Sequence, residues 1–216
     1  MNAYTTILDA VKKYDYEKAA ALLEANIREE NARNAGKKAV SQLKIISNMM
    51  KSADSYNTGF KKAHNFGDIN LFTDGYRIFA SDSDFGFDHA EPHELFKLND
   101  MIKNVMRDVS DKIRLNREEI QLYIKLERLT RARYDRTKPF YLKSENGNIY
   151  AFNPFYLLDF IDFTGDDTAL AISPKNPIID ENGSALVLPV NHSFNIEAFN
   201  SWRERYFGDD IILKTA

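Results

Sequence analysis

Apolar residues recur every three or four positions through the first 64 residues of the chain. The pattern runs through residues 7–14, 19–27 and 40–50, and residues spaced in this way lie on one face of an α-helix. We therefore predict helices here, with a break at Asn34-Ala35-Gly36 because glycine readily ends a helix. The periodicity is lost in segment 52–67, which is predicted to be a connector.

The pattern changes to alternation after this connector. Residues 68–81 alternate apolar and polar side chains around Asp74-Gly75, a dipeptide typical of tight turns, so this segment is predicted to be a β-hairpin. Residues 95–109 have mixed helical character, whereas residues 116–134 form a clear amphipathic helix. Its predicted apolar face consists of Leu122, Leu126 and Leu129, widened by Ile120, Tyr123 and Ile124.

The C-terminal part of the chain mixes short strands with short helices. Asn146-Gly147 joins two apolar strands and is predicted to form a type I′ turn. Asn153 followed by Pro154 is typical of a helix start, because asparagine caps the first turn and proline needs no N–H there. The predicted elements are strands at 140–142, 149–152, 168–172, 177–179 and 185–190 and helices at 155–163 and 196–206.

Together these elements indicate an α+β fold, with a helical region followed by antiparallel strands and helices. A chain of 216 residues can bury its core as one large domain or two small ones. We predict a helical N-terminal region at 1–66 and an α+β region at 67–216, which can also pack together as one domain.

The composition excludes several classes of chemistry. The chain has no cysteine, so disulfides, a thiolate nucleophile and cysteine-ligated metal sites are excluded. The sequence shows no basic and apolar leader and no stretch near the ~20 apolar residues that span a bilayer. We therefore expect a cytoplasmic protein with no membrane partner.

Basic residues are concentrated in one part of an otherwise acidic chain. The net charge is −3, yet residues 103–143 contain twelve Lys or Arg and six Asp or Glu. Several of these cations lie on one arc of the helix at 116–134 and continue beyond it, where they can contact phosphates without reading bases. The predicted DNA-binding residues are Arg117, Lys125, Arg128, Arg131, Arg133, Arg136 and Lys138. The alternative is an ordinary solvated helix face on which Glu118, Glu119 and Glu127 pair within the helix.

Carboxylates and imidazoles crowd the loop at 82–94. Such donors can bind a divalent ion, which leaves a metal-dependent hydrolase or nuclease open as an alternative function. Their spacing matches no metal motif, and the other interpretation is an exposed acidic loop held by Phe85, Phe87 and Pro92. No Gly-x-Ser-x-Gly, glycine-rich phosphate loop or His-Glu-x-x-His motif occurs, so we expect no catalytic residues, metal or cofactor. The donors are Asp82, Asp84, Asp88, His89, Glu91, His93 and Glu94.

Two further patterns lie at 72–80 and 152–190. The first reads Phe-Thr-Asp-Gly-Tyr-Arg-Ile-Phe-Ala, and the second contains Asn-Pro-Phe-Tyr-Leu-Leu-Asp, then Pro-Ile-Ile, then Leu-Pro-Val. In this order they resemble the Thr-Asp-Gly turn and the closing helix and strands of the bacterial DNA polymerase sliding clamp, the ring that tethers polymerase to duplex DNA. The resemblance covers about a third of the chain.

The resemblance implies a non-catalytic, DNA-clamp-like processivity factor that acts in DNA replication, with region 67–216 as the clamp-like part. The implied partners are duplex DNA, a replication protein or polymerase peptide, and further copies of the chain in a homo-oligomer. The helical first 64 residues and the charged helix at 116–134 depart from the mostly β pattern of the family. This departure implies a shortened or divergent relative, such as one from a phage or mobile element.

The sequence leaves a third function open, a protein–protein interaction module that does not bind DNA. In this interpretation residues 1–64 dock a partner protein. An exposed apolar patch on these helices would favour it.

Overall fold

The computed structural model describes residues 3–53, 58–66, 68–90, 109–130, 138–190 and 196–208. Helices are combined with mostly antiparallel strands along these ranges, so the chain has an α+β fold, as predicted. Packing divides it into unit 1, Met1–Gly75 with Phe79–Leu95, and unit 2, Tyr76–Ile78 with Phe96–Ala216. None of the helices in the described ranges is long and apolar enough to cross a membrane.

Unit 1 begins with three consecutive helices, α1 (Ala3–Lys12), α2 (Tyr16–Ala35) and α3 (Lys37–Ser52). Gly36 separates α2 from α3 at a φ of 107°, which suits glycine, so the predicted break is confirmed. The break between α1 and α2 is not apparent from the sequence pattern. There Tyr14 takes a φ of 59°, and the Asp15 side chain caps α2 by accepting the Lys18 N–H at 3.2 Å.

Three strands follow in chain order, β1 (His64–Phe66), β2 (Ile69–Thr73) and β3 (Arg77–Ser81), and they are neighbours in the same order. β1 pairs antiparallel with β2, although the sequence pattern predicts a connector at β1. β2 and β3 form the predicted hairpin. At its turn Gly75 has a φ of 86° and donates its N–H to the Thr73 hydroxyl at 3.0 Å.

The core of unit 1 combines α3 and β2 with aromatic residues from the loop after β3. The residues that α3 buries are Ala39, Gln42, Leu43, Ile45, Ile46, Met49 and Met50. The ring centroid of the buried Phe72 lies 6.1 Å from that of Phe85 and 5.5 Å from that of Phe87. These two phenylalanines therefore hold the loop against the unit.

Unit 2 contains, in chain order, β4 (Asp111–Arg114), α4 (Arg117–Thr130), β5 (Phe140–Lys143), β6 (Ile149–Phe152), α5 (Pro154–Thr164), β7 (Thr168–Ala171), β8 (Ile178–Ile179), β9 (Ala185–Val187) and α6 (Ile196–Phe207). β9, β8, β7 and β4 are adjacent in this order and pair antiparallel. The sequence pattern predicts no strand at β4. It also extends β9 to Val190, whereas the strand ends before Pro189, which has no N–H for a sheet.

β5 and β6 form the predicted hairpin, but the predicted type I′ turn is wrong. That turn requires a positive φ at both Asn146 and Gly147. Gly147 has a φ of 85°, whereas Tyr14 is the sole non-glycine residue with a positive φ in the described ranges. The loop is longer than two residues, since it runs from the end of β5 at Lys143 to the start of β6 at Ile149. Within it Gly147 donates its N–H to the Ser144 carbonyl at 3.0 Å, and the Ser144 hydroxyl donates to the buried Asp111.

Local signals place α5 where the sequence predicts it. The Asn153 side chain accepts the Phe155 N–H at 3.0 Å, and Pro154 is the first helical residue. At the other end Gly165 takes a φ of 77° and donates its N–H to the Ile161 carbonyl at 2.9 Å. The predicted start and stop of this helix are therefore confirmed.

Candidate functional site

α4 carries three of the predicted DNA-binding residues, and its buried face differs from the predicted one. Ile120, Tyr123 and Ile124 are buried as expected, but Leu129 is 72% exposed. Glu127 lies on the buried side instead, with 1% exposure. The buried face is thus rotated away from the predicted leucine stripe. Packing against α5 and α6 covers the side of α4 that carries Ile120, Tyr123 and Glu127.

The buried carboxylate of Glu127 is paired with groups outside α4. The Tyr206 hydroxyl donates a hydrogen bond to Glu127 Oε1, and Lys138 Nζ lies 3.3 Å from Glu127 Oε2. A buried charge is costly unless it is paired, which explains the two partners. Lys138, a predicted DNA-binding residue, therefore has its charge largely neutralised.

The first turn of α4 is tied to neighbouring helices by ion pairs. Arg117 pairs with Asp162 of α5. Arg203 of α6 donates two hydrogen bonds to the Glu119 carboxylate, at 3.0 and 3.2 Å. Like Glu127, Glu119 thus pairs outside its helix, in contrast to the alternative of pairing within it.

Lys125 and Arg128 lie on the exposed side of α4, beside a groove between α4 and α5. The groove has a volume of about 400 Å³, and Ile124, Phe155 and Leu158 form much of its apolar lining. The Arg128 guanidinium carbon lies 5.8 Å from the Phe155 ring centroid, within the range of a cation–π contact. Among the residues that the structure describes, neither cation is in an ion pair with a carboxylate.

The structure thus separates the predicted DNA-binding residues into three groups. Lys125 and Arg128 lie together at the groove, and Arg117 and Lys138 pair with carboxylates. Arg131, Arg133 and Arg136 lie outside the described residues. DNA binding by this set stays a prediction, with Lys125 and Arg128 as the cations at the groove.

The loop at 82–94 is described as far as residue 90. Its backbone bonds to Ala63, whose N–H donates to the Asp88 carbonyl at 2.7 Å and whose carbonyl accepts the Ala90 N–H at 2.9 Å. Within the described part of the chain no group of three His, Asp or Glu side chains is placed to hold a metal ion. Glu91, His93 and Glu94 lie outside it, so the metal-site alternative stays untested for them.

Asp111 is a buried carboxylate that the sequence analysis missed. Its Oδ2 accepts hydrogen bonds from Ser144 Oγ at 2.7 Å, Asn148 Nδ2 at 2.8 Å and Tyr150 Oη at 2.8 Å. Burial alone would raise the pKa of Asp111, but these bonds and one from the Asn146 backbone outweigh it and lower the pKa. Burial, and then the hydrogen bond to Asp111 and its charge, raises the pKa of Tyr150. The carboxylate therefore joins β4 to the β5–β6 hairpin.

A signal for this carboxylate exists in the sequence. Burial alternates along β4, beginning with Asp111 on the inward side, and the residues of an alternating strand share a face at every second position. A strand prediction at 111–114 would have placed Asp111 beside Ile113 in the interior.

The segments that carry the sliding-clamp resemblance meet in unit 2. The buried Arg77 of the first segment forms an ion pair with Asp159 of the second, and its guanidinium carbon lies 4.1 Å from the Tyr156 ring centroid. Tyr76, which is 61% exposed, stacks on Tyr156 with 6.3 Å between ring centroids. The Leu188 N–H donates to the Tyr76 carbonyl at 2.9 Å. These contacts join the Thr-Asp-Gly-Tyr-Arg segment, the Asn-Pro-Phe-Tyr-Leu-Leu-Asp helix and the Leu-Pro-Val segment.

Comparisons with known proteins give a limited likeness among solved structures. No protein-family model matches the sequence, and a search of curated proteins finds no match. Among solved structures the chain is similar to a candidate DNA polymerase III beta subunit from Eubacterium rectale ATCC 33656, at 21% identity and a TM-score of 0.34. The match covers 57% of this chain and 41% of that protein, less than half its length. A likeness of this size carries no conclusion about function.

Proposed function

We propose that this chain is a non-catalytic, clamp-related protein of DNA replication that contacts duplex DNA through Lys125 and Arg128. The observation that carries the proposal is the pairing pattern on α4. These two cations face solvent beside the groove without a carboxylate partner in the described ranges, whereas Arg117 and Lys138 are each paired with a carboxylate. Unpaired cations are free to neutralise phosphates and release counterions.

The contact needs no base recognition. Phosphate contacts depend on charge and position, so two cations on one helix can hold a duplex of any sequence. The chain as a whole has a net charge of −3, and its attraction to DNA must therefore come from a local patch. The meeting of the three clamp-like segments around Arg77 and Asp159 supports the clamp-related part of the proposal.

The apolar lining of the groove favours a second candidate, the docking of a peptide from a replication protein. Ile124, Phe155 and Leu158 form an apolar floor. DNA phosphates are charged and would not bind to such a surface. A peptide with apolar anchors and an acidic residue would use both the floor and the two cations.

The DNA proposal is tested by charge reversal. Lys125→Glu with Arg128→Glu is compared with Lys37→Glu and Lys38→Glu, two exposed cations of α3 in unit 1, because both pairs change the net charge equally. We expect the first pair to weaken binding of a labelled random-sequence duplex about tenfold or more and to reduce the salt slope by about 2. Fluorescence anisotropy at several salt concentrations measures both.

Three outcomes separate the candidates. Loss of duplex binding in the double variant Lys125→Glu with Arg128→Glu alone supports the DNA contact. Equal loss in both pairs would mean that only net charge matters, and unchanged binding in the α4 pair would remove the proposal. Replacement of Leu158 by Glu tests the peptide candidate, because it blocks the apolar floor without removing either cation.

A further inference from the structure

α2 presents a stripe of large apolar side chains to solvent. Tyr16, Ala20, Leu23 and Ile27 follow one another at steps of four, three and four residues, and the three large ones are 61%, 48% and 47% exposed. At ~100° per residue they fall within an arc of ~60°. We call these four residues the α2 stripe. Its spacing is that of the a and d positions in a coiled coil.

The fully buried residues of α2 are small, and the larger Leu22 is half-buried. These buried residues are Ala19 and Ala32, whereas the large apolar residues of the α2 stripe point outward. An amphipathic helix normally turns its large apolar residues to the core. Three large apolar side chains of α2 are therefore left uncovered in one row, which is uncommon on a monomeric protein.

Tyr14 extends the α2 stripe at its N-terminal end. Its side chain is 80% exposed and meets the Tyr16 ring edge to face, with 6.2 Å between centroids. The positive φ of 59° at Tyr14 is uncommon for a residue with a side chain. Two tyrosines thus supply aromatic contact area at one end of the surface, the residue type that is enriched at protein interfaces.

The α2 stripe is bordered by acidic residues. Glu17, Glu24 and Glu30 lie within ~90° of its centre on the helix, whereas all Lys and Arg of α2 lie more than ~100° away. Arg28 in particular is turned aside, with its guanidinium carbon 4.6 Å from the Phe87 ring centroid and a 3.0 Å bond to Glu24. The nearest lysines in sequence outside α2, Lys12 and Lys13, precede the α2 stripe and belong to the end of α1 and its following turn.

We propose that the α2 stripe binds an amphipathic helix of a partner protein that carries Lys or Arg beside its own apolar residues. The three-four spacing selects a helical partner, because knobs from a second helix fill the holes between such residues. The glutamates select basic flanks through pairs across the interface. A second copy of α2 would set its glutamates against these, which disfavours self-association at this face.

This surface goes beyond the proposed DNA contact and shares no residue with it. The α2 stripe belongs to unit 1, whereas Lys125 and Arg128 belong to unit 2. Each proposal can therefore fail without the other.

The probes are two synthetic helical peptides with the same Leu and Ile heptad positions. One has Lys at the flanking positions, and the other has Glu there. Anisotropy of the labelled peptides is titrated with the full chain at low and high salt. We expect the lysine peptide to bind at least about tenfold more tightly than the glutamate peptide at low salt, with a smaller ratio at high salt because salt screens exposed charges.

Three variants locate the binding. The double variant Leu23→Glu with Ile27→Glu should weaken binding of the lysine peptide at least about tenfold. Val40→Glu, at an exposed apolar position of α3, should leave binding of the lysine peptide unchanged. Glu17→Lys with Glu30→Lys should reverse the preference between the peptides. Both glutamates are exposed and neither is in an ion pair in the described ranges, so this variant keeps the test valid if the apolar variant unfolds.

The proposal is overturned if neither peptide binds, or if both bind equally well. It is also overturned if light scattering detects a dimer that Leu23→Glu with Ile27→Glu dissociates, because the occupant would then be a second copy. Lys125→Glu with Arg128→Glu should leave peptide binding intact. The two proposals are thereby tested independently.

Discussion

Asp111 illustrates how one buried side chain holds separate strands together. Three side-chain donors surround its Oδ2, and each comes from the β5–β6 hairpin or its turn. Hydrogen bonds to a charged group contribute more than neutral ones, and a donor left without its acceptor costs its full desolvation. The stability of unit 2 should therefore depend strongly on this carboxylate.

We predict that Asp111→Ala lowers the free energy of unfolding by about 3 kcal/mol, because it leaves three donors without an acceptor. Urea unfolding followed by circular dichroism measures the change. Asp9→Ala, at an exposed position of α1, is the control and should change stability by less than about 0.5 kcal/mol. Equal effects of the two substitutions would contradict a structural role for the Asp111 network.

The same carboxylate predicts a pH dependence. The folded-state pKa of Asp111 is lowered, so its contribution to stability is complete above the unfolded-state value of about 4 and is lost as pH falls through the folded value. The stability difference between the wild type and Asp111→Asn should therefore be constant near neutrality and shrink below about pH 4. Urea titrations across this range measure it, and a difference that persists unchanged at low pH would argue against an ionised Asp111.

At the scale of elements, α6 docks on unit 2 through aromatic rings. Trp202 lies 5.2 to 5.6 Å, between ring centroids, from Tyr123 of α4 and from Phe140 and Tyr141 of β5. Phe199 is buried with Tyr141 and Ala151. Aromatic rings at these separations contribute beyond their buried area, so this turn of α6 contributes strongly to its attachment.

We predict that Phe199→Ala destabilises the protein by about 3 kcal/mol through loss of buried surface and the cavity left behind. Trp202 is the sole tryptophan and its centroid lies 6.1 Å from that of Phe199, so its emission should shift to longer wavelength as water gains access. Glu197→Ala, at an exposed position of the same helix, is the control. An unchanged emission spectrum in the Phe199 variant would mean that α6 docks without this ring.

At the scale of the whole molecule, the negative net charge opposes DNA binding. A chain with a net charge of −3 gains little from general attraction to DNA. The contact proposed for Lys125 and Arg128 of α4 would be weak and local. Enclosure of the duplex, which the sliding-clamp resemblance implies, would retain such a protein on DNA without strong phosphate binding.

Enclosure predicts a homo-oligomer. We expect light scattering of the purified chain to give a multiple of 24.9 kDa that stays constant on dilution. Leu23→Glu with Ile27→Glu should have the same mass, because the α2 stripe is assigned to a different partner. A monomer at every concentration, with and without duplex DNA, would contradict enclosure and leave the α4 cations as the sole basis of the DNA proposal.

Local signals in the sequence were enough for the elements that depend on neighbouring residues. Three such features are the cap at Asn153, the stop at Gly165 and the turn at Asp74-Gly75. Each depends on residues a few positions apart, so it can be predicted from the sequence alone. The helices of the first part and the strands of the last part were predicted for the same reason. The type I′ turn was wrong because β5 ends at Lys143 and β6 begins at Ile149, which leaves a longer loop in which Asn146 has no positive φ.

The tertiary structure decided which residues meet and which faces are covered. Arg77 pairs with Asp159 across 82 positions of sequence, and Glu127 takes the buried place expected of a leucine on α4. Periodicity reveals which side chains share a face of a helix, but it carries no information on which face the rest of the chain covers. For that reason the apolar spacing of α2 predicts a helix, while its exposed stripe follows only from packing that places Ala19 and Ala32 inward.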